Sequence, residues 1–197
     1  GKGAHAILRI VVLIVLARLL APHDFGLLSA AMVVVGFATL FSQLGIQPAI
    51  VQRQELREDH LRTGFTVSVL FSLFLAAVVA AIAPWIAAYF RTNELIPIIQ
   101  VTALTFPIQA LTIVPIALLQ RELRFGVLAV IEVLSYVIGF GVFGISMAMM
   151  GFGVWSLVAA HMASTATSAA MLVVAQPHAK RLQINRCAFS ELMSFGG

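Results

Sequence analysis

Charge is scarce in this sequence. Of its 197 residues only 10% are Asp, Glu, Lys or Arg, while 61% are hydrophobic. A water-soluble domain usually carries about 25% charged residues, so too little charge is present to cover a soluble surface. Disorder is excluded by the same arithmetic, because an apolar chain is the opposite of one that stays unfolded. Cysteine is nearly absent as well. Cys187 stands alone, which excludes a disulfide framework and a cysteine-ligated metal site. No GxxxxGK[ST], HExxH, GxSxG or CxxC pattern occurs, so neither enzyme chemistry nor a metal or other cofactor is indicated. The basic residues are scattered among short polar segments, which gives no reason to expect nucleic acid as a partner.

What is present in quantity is long apolar runs, and the mean hydropathy is +1.03. A helix needs ~20 mostly apolar residues to cross a bilayer. Six runs qualify, at about 4–21, 26–50, 63–90, 95–119, 126–150 and 152–176. They lack the period-2 alternation of a membrane barrel, so the expected class is an all-α integral membrane protein with six transmembrane helices. Residues 177–197 read as a basic linker followed by the start of another helix. The sequence begins at Gly1 without Met and stops at Gly197, so we expect a piece of a longer protein.

Basic residues collect on the cytoplasmic side of membrane proteins. With the N-terminus in the cytoplasm, that side receives Lys2, Arg53, Arg57, Arg62, Arg121, Arg124, Lys180, Arg181 and Arg186. Only Arg18 and Arg91 fall on the other face, where Trp85, Tyr89 and Trp155 supply interfacial aromatics. The segment from Pro48 to Arg57 also echoes the one from Pro115 to Arg124, as a duplicated helix hairpin would.

Several spans carry a narrow polar face. At 100° per residue, Ser29, Gly36, Thr39 and Gln43 share a side of the second span, and Thr102, Thr105, Gln109 and Thr112 a side of the fourth. Glu132, Ser135, Tyr136 and Gly139 do so on the fifth, and His161, Ser164, Thr165 and Ser168 on the sixth. Small residues also serve close helix packing, but the amides of Gln43 and Gln109 need polar partners in hydrocarbon. A shared polar interior is therefore expected. The third span, apolar from Ser72 to Pro84, is expected to be the most lipid-exposed.

Arg9, Glu132 and His161 are the ionisable groups inside spans. A charge at the bilayer centre costs ~2.5–3.5 kcal/mol even on the mildest scale, so such groups face protein or water. Arg9 and Glu132 lie at similar depths, which allows an ion pair. Proline removes a backbone hydrogen bond and bends helices, so Pro84, Pro107 and Pro115 mark possible bends.

The stretch Leu16-Ala17-Arg18-Leu19-Leu20-Ala21-Pro22-His23-Asp24-Phe25-Gly26-Leu27 resembles the first-loop signature LARLLxPxDFG of bacterial polysaccharide-biosynthesis flippases. Three further stretches match in order: Gly45 to Gln52, Leu118 to Phe125, and Gly151-Phe152-Gly153-Val154-Trp155-Ser156-Leu157. That resemblance implies the superfamily of multidrug, oligosaccharidyl-lipid and polysaccharide exporters, with two six-helix lobes alternating around a central cavity. This chain would be the N-terminal lobe.

By the same resemblance the substrate is an undecaprenyl-pyrophosphate-linked oligosaccharide, moved across the bacterial inner membrane for polysaccharide or lipopolysaccharide biosynthesis. Arg9 and Arg53 would meet the phosphates, Gln43 and Gln109 the sugar, and Glu132 and His161 would serve ion coupling or a structural ion pair. Membrane lipids and glycan polymerase or other assembly proteins are the implied partners. Two other readings are an ion-coupled multidrug exporter of the same superfamily and a membrane scaffold for glycan assembly that transports nothing.

Overall fold

A computed structural model describes residues 2–42 and 58–176. The chain folds as α1 (Lys2–Leu19), α2 (Pro22–Ser42), α3 (Glu58–Phe90), α4 (Leu95–Ala103), α5 (Thr105–Arg121) and α6 (Phe125–Tyr136). From α6 it continues through a π-helical stretch (Val137–Gly144) into α7 (Ile145–Met149), and ends with α8 (Val154–Ala175). Among the described residues every regular element is helical. Five stretches are long and apolar enough to cross a membrane: Pro22–Thr39, Phe65–Phe90, Leu95–Arg121, Phe125–Met149 and Val154–Ala175. The protein is an all-α membrane protein.

The helix boundaries follow local chemistry. α2 starts four residues earlier than its apolar run predicts, because Pro22 occupies the first helical position, where its missing N–H is not needed. Asp24 reaches back so that Oδ2 accepts the Ala21 N–H at 3.0 Å, half of a capping box. α3 is already helical at Glu58, five residues ahead of the expected 63.

The fourth run is not one helix but two, α4 and α5, broken at Leu104. Pro107 explains the break. It has no N–H for the Ala103 carbonyl and its ring crowds that oxygen. The hydroxyl of Thr105 donates instead to the Thr102 carbonyl at 2.6 Å, and the Leu104 N–H donates to Val101 O at 3.1 Å.

Side-chain ties show that the helices run up and down between two ends. At one end, His23 Nε2 lies 3.5 Å from Glu94 Oε2, joining the α1–α2 turn to the α3–α4 turn. Gly153 sits at the same end against the Asp24 carboxylate, where an added Cβ would be 3.2 Å from Oδ1. At the opposite end, Gln176 Nε2 donates to Glu122 Oε2 at 2.8 Å. Two of the motif stretches, at 22–27 and 151–157, thus meet.

The largest core cluster joins Ala31 and Val35 of α2, Ala83 and Ala87 of α3, Ile98, Ile99 and Phe106 of α4–α5, and Val158 of α8. α3 packs along α4 and α5. Alanines four residues apart give α3 a smooth face on which another helix can lie closely.

The fifth span approaches α8 most tightly at the π-helical stretch. A methyl built on Gly139 would lie 2.5 Å from Ser164 Cβ and 2.6 Å from the Ala160 carbonyl oxygen, whereas one on Gly141 would meet only Val137 of its own helix at 3.7 Å. Overpacking of this kind costs about 1–3 kcal/mol. Gly139→Ala should therefore lower thermal stability in detergent markedly and Gly141→Ala should leave it near wild type; equal melting temperatures for the two variants would contradict this packing.

Candidate functional site

Four helices converge on a cleft of about 240 Å³. α1 contributes Arg9, α5 contributes Gln109 and Thr112, α6 contributes Glu132, Ser135 and Tyr136, and α8 contributes Ser164, Thr165 and Ser168. Arg9 and Glu132 stand seven residues into their helices, a rise of about 10 Å in each case. Equal depth lets them meet. Arg9 Nη2 donates to Glu132 Oε1 at 2.8 Å.

Both side chains keep more than half of their surface exposed, 52% for Arg9 and 58% for Glu132. The pair is thus open to whatever fills the cleft rather than sealed in the core. The guanidinium also lies over the Tyr136 ring, 5.5 Å from its centroid, a cation–π contact. Tyr136 in turn stacks on Phe140 at 4.9 Å, which holds the aromatic platform in place.

Three hydroxyls in the cleft donate to their own helices. Thr112 Oγ1 bonds Gln109 O at 2.7 Å, Ser135 Oγ bonds Glu132 O at 3.1 Å, and Thr165 Oγ1 bonds His161 O at 2.9 Å. Each hydroxyl oxygen keeps acceptor capacity after donating its single proton. The cleft therefore offers oxygen lone pairs, an amide and an ion pair within an apolar bundle.

The structure brings together Arg9, Glu132 and Gln109. It does not bring His161 to them: this residue is absent from the cleft lining, and its Nε2 is buried with no hydrogen-bond partner among the described residues. Gln43 and Arg53 lie outside the described residues, as does the Pro48–Arg57 echo.

The polar face expected on the fourth run divides after Thr105. Thr102 and Thr105 are fully buried and bond backbone carbonyls, while Gln109 and Thr112 reach the cleft. On α2, Ser29 and Gly36 are exposed and Thr39 donates to Val35 O, so that stripe does not line the cleft. The seat of Arg9 on Tyr136 is a feature that sequence reasoning missed. Its signal was the i,i+4 placement of Tyr136 one turn beyond Glu132.

Residues 15–197 match the family described as polysaccharide biosynthesis protein. The chain belongs to that family. A membrane protein of the cps region of Klebsiella pneumoniae is 34% identical over 128 residues, which are 65% of this chain and 26% of that protein. The succinoglycan biosynthesis transport protein ExoT of Rhizobium meliloti is 29% identical over 152 residues, 77% of this chain and 31% of ExoT. The lipopolysaccharide biosynthesis protein WzxC of Escherichia coli is 30% identical over 138 residues, 68% of this chain and 27% of WzxC. The chain thus spans between a quarter and a third of the length of these curated relatives. No solved structure matches it.

The ion pair makes a direct stability prediction. Both side chains are more than half exposed, so the pair is worth what a solvent-screened ion pair is worth. The Arg9→Met/Glu132→Met double variant should be destabilised by less than the sum of the two single variants, with a coupling of about 0.2–1 kcal/mol in a double-mutant cycle. Thermal unfolding in detergent checks this, and simple additivity would contradict it.

Proposed function

We propose that this chain is the N-terminal lobe of an exporter that carries undecaprenyl-pyrophosphate-linked oligosaccharide across the bacterial inner membrane, with its N-terminus in the cytoplasm. The observation that carries the reading is the Arg9–Glu132 pair set in a hydroxyl-lined cleft. Relatives named for succinoglycan transport and lipopolysaccharide biosynthesis support it. The basic residues at the ends of the spans support the orientation.

A pyrophosphate cannot cross hydrocarbon as a bare anion, so its carrier needs a cation at depth. Arg9 meets that need. Its guanidinium has five N–H donors, and phosphate takes them in a bidentate fork. Glu132 holds the arginine when no substrate is bound. As phosphate takes over the guanidinium, Glu132 exchanges Arg9 for a coupling proton or cation. Gln109 and the hydroxyls of Thr112, Ser135 and Thr165 then hydrogen-bond sugar, and the polyprenyl chain stays in lipid. Arg53 serves as an entry contact and Gln43 extends the sugar-binding wall. Glycan polymerase and other assembly proteins are the partners in such export.

A drug exporter would need a carboxylate for a cationic ligand. Here Glu132 is already engaged by Arg9, which favours the anionic substrate.

The test is complementation of polysaccharide export in a strain lacking its own exporter. In the full-length protein Arg9→Ala should reduce export by about tenfold or more, a loss on the scale of a charge-assisted hydrogen bond. The amount of protein in the membrane should be unchanged. Arg9→Lys should retain part of the activity, since it keeps the charge without the fork. Undiminished export by Arg9→Ala would overturn the assignment.

A further inference from the structure

A second concavity lies on the other side of the α6–α8 seam. It is an apolar groove of about 580 Å³, walled by Val127, Val130 and Ile131 on α6 and by Ala170, Met171 and Val174 on α8. That volume falls within the ~300–1,000 Å³ typical of ligand sites. The groove is separate from the cleft. At ~100° per residue, Val130 stands about 200° and Val127 about 140° around α6 from Glu132. Val130 and Val174 are 56% and 79% exposed, so the groove is open at the surface of the described residues.

The groove's own lining is apolar, and polar residues follow just beyond Gly126 and Ala175, whose chain neighbours are the turn containing Arg124 and the helix terminus at Gln176. Glu122 Oε2 accepts from Gln176 Nε2 at 2.8 Å and lies 3.5 Å from Arg124 Nη1. This ties the α5–α6 turn to the end of α8. Arg121 closes the last turn of α5, so among the described residues two arginines flank Glu122 in this part of the chain.

An apolar channel with a basic end matches an amphiphile with an anionic head. Basic pockets between transmembrane helices recruit such lipids. We infer that the groove holds an acyl chain of an anionic phospholipid of the surrounding bilayer, with its phosphate at Arg121 and Arg124. The transported lipid is a poorer fit, because the groove faces away from Arg9 and the cleft. The inference stands independently of the export reading.

The test is native mass spectrometry of the complete protein, purified in detergent and offered phosphatidylglycerol, phosphatidylcholine or undecaprenyl phosphate. Wild type should retain phosphatidylglycerol roughly fivefold or more over phosphatidylcholine, the preference expected of one or two basic contacts. Val130→Trp, which fills the groove, should remove that retention at unchanged helicity. Arg121→Gln/Arg124→Gln should abolish the preference between headgroups, and Arg9→Ala should leave it intact. Equal retention of the two phospholipids by wild type would overturn the inference. So would displacement of phosphatidylglycerol by undecaprenyl phosphate in an Arg9-dependent manner, which would assign the groove to the transported lipid. Unfolding of Val130→Trp with no lipid retained by wild type would mean that protein covers the groove, and would overturn it too.

Discussion

A guanidinium inside an apolar bundle must be neutralised where it stands, and much of this architecture is arranged around that requirement. Arg9 is met at 2.8 Å by Glu132 and supported from one side by the Tyr136 ring. The two charged groups come from helices far apart in sequence. Their meeting requires α1 to lie against the stretch from α6 to α7, and the cluster of Val12, Leu16, Leu20, Ala148 and Leu157 supplies that contact. Close approach of the same stretch to α8 depends on Gly139 and Gly144, each of which faces Ala160 or Ser164 where a side chain would collide. The wide π-helical turn begins directly after Tyr136. Such turns are rare and recur at functional sites. Here it follows the cleft-lining face of α6 and packs the chain against α8 before α7 begins.

The ends of the bundle are held by polar contacts instead. His23 with Glu94, and Asp24 with the backbone of Ala21, fix the turns at one end. Glu122 with Gln176 and Arg124 fixes the other. Exposed pairs of this kind contribute little energy individually. Their effect is to set the register of the turns they join. Between the two ends the bundle presents contrasting recesses, a polar cleft of about 240 Å³ and an apolar groove of about 580 Å³.

Much of this was legible in the sequence. Apolar runs located the helices, and counting residues from their starts placed Arg9 and Glu132 at one depth. The polar faces of the fifth and sixth spans do line the cleft. The fourth span shows why the rest was hidden. Its four polar residues share a face only on an unbroken helix, and the break at Leu104 separates Thr102 from Thr105, Gln109 and Thr112. Thr102 and Thr105 then serve backbone carbonyls, an alternative always open to hydroxyl side chains. Nor does His161 reach the cleft, although it shares a helix face with Thr165 and Ser168. The contact of Asp24 with Gly153 joins residues more than a hundred positions apart, and no local pattern encodes it.

The most direct test of the central claim, that the Arg9–Glu132 pair looks into water and not into acyl chains, is chemical accessibility in intact membranes. Single cysteines are placed at Ser135 and Ser168 of the cleft and at Val33, an exposed position on α2, in a Cys187→Ser background. A water-soluble maleimide should label the two cleft positions and leave Val33→Cys unmodified. Failure to label Ser135→Cys and Ser168→Cys while the protein is folded would show a dry interior and contradict the account.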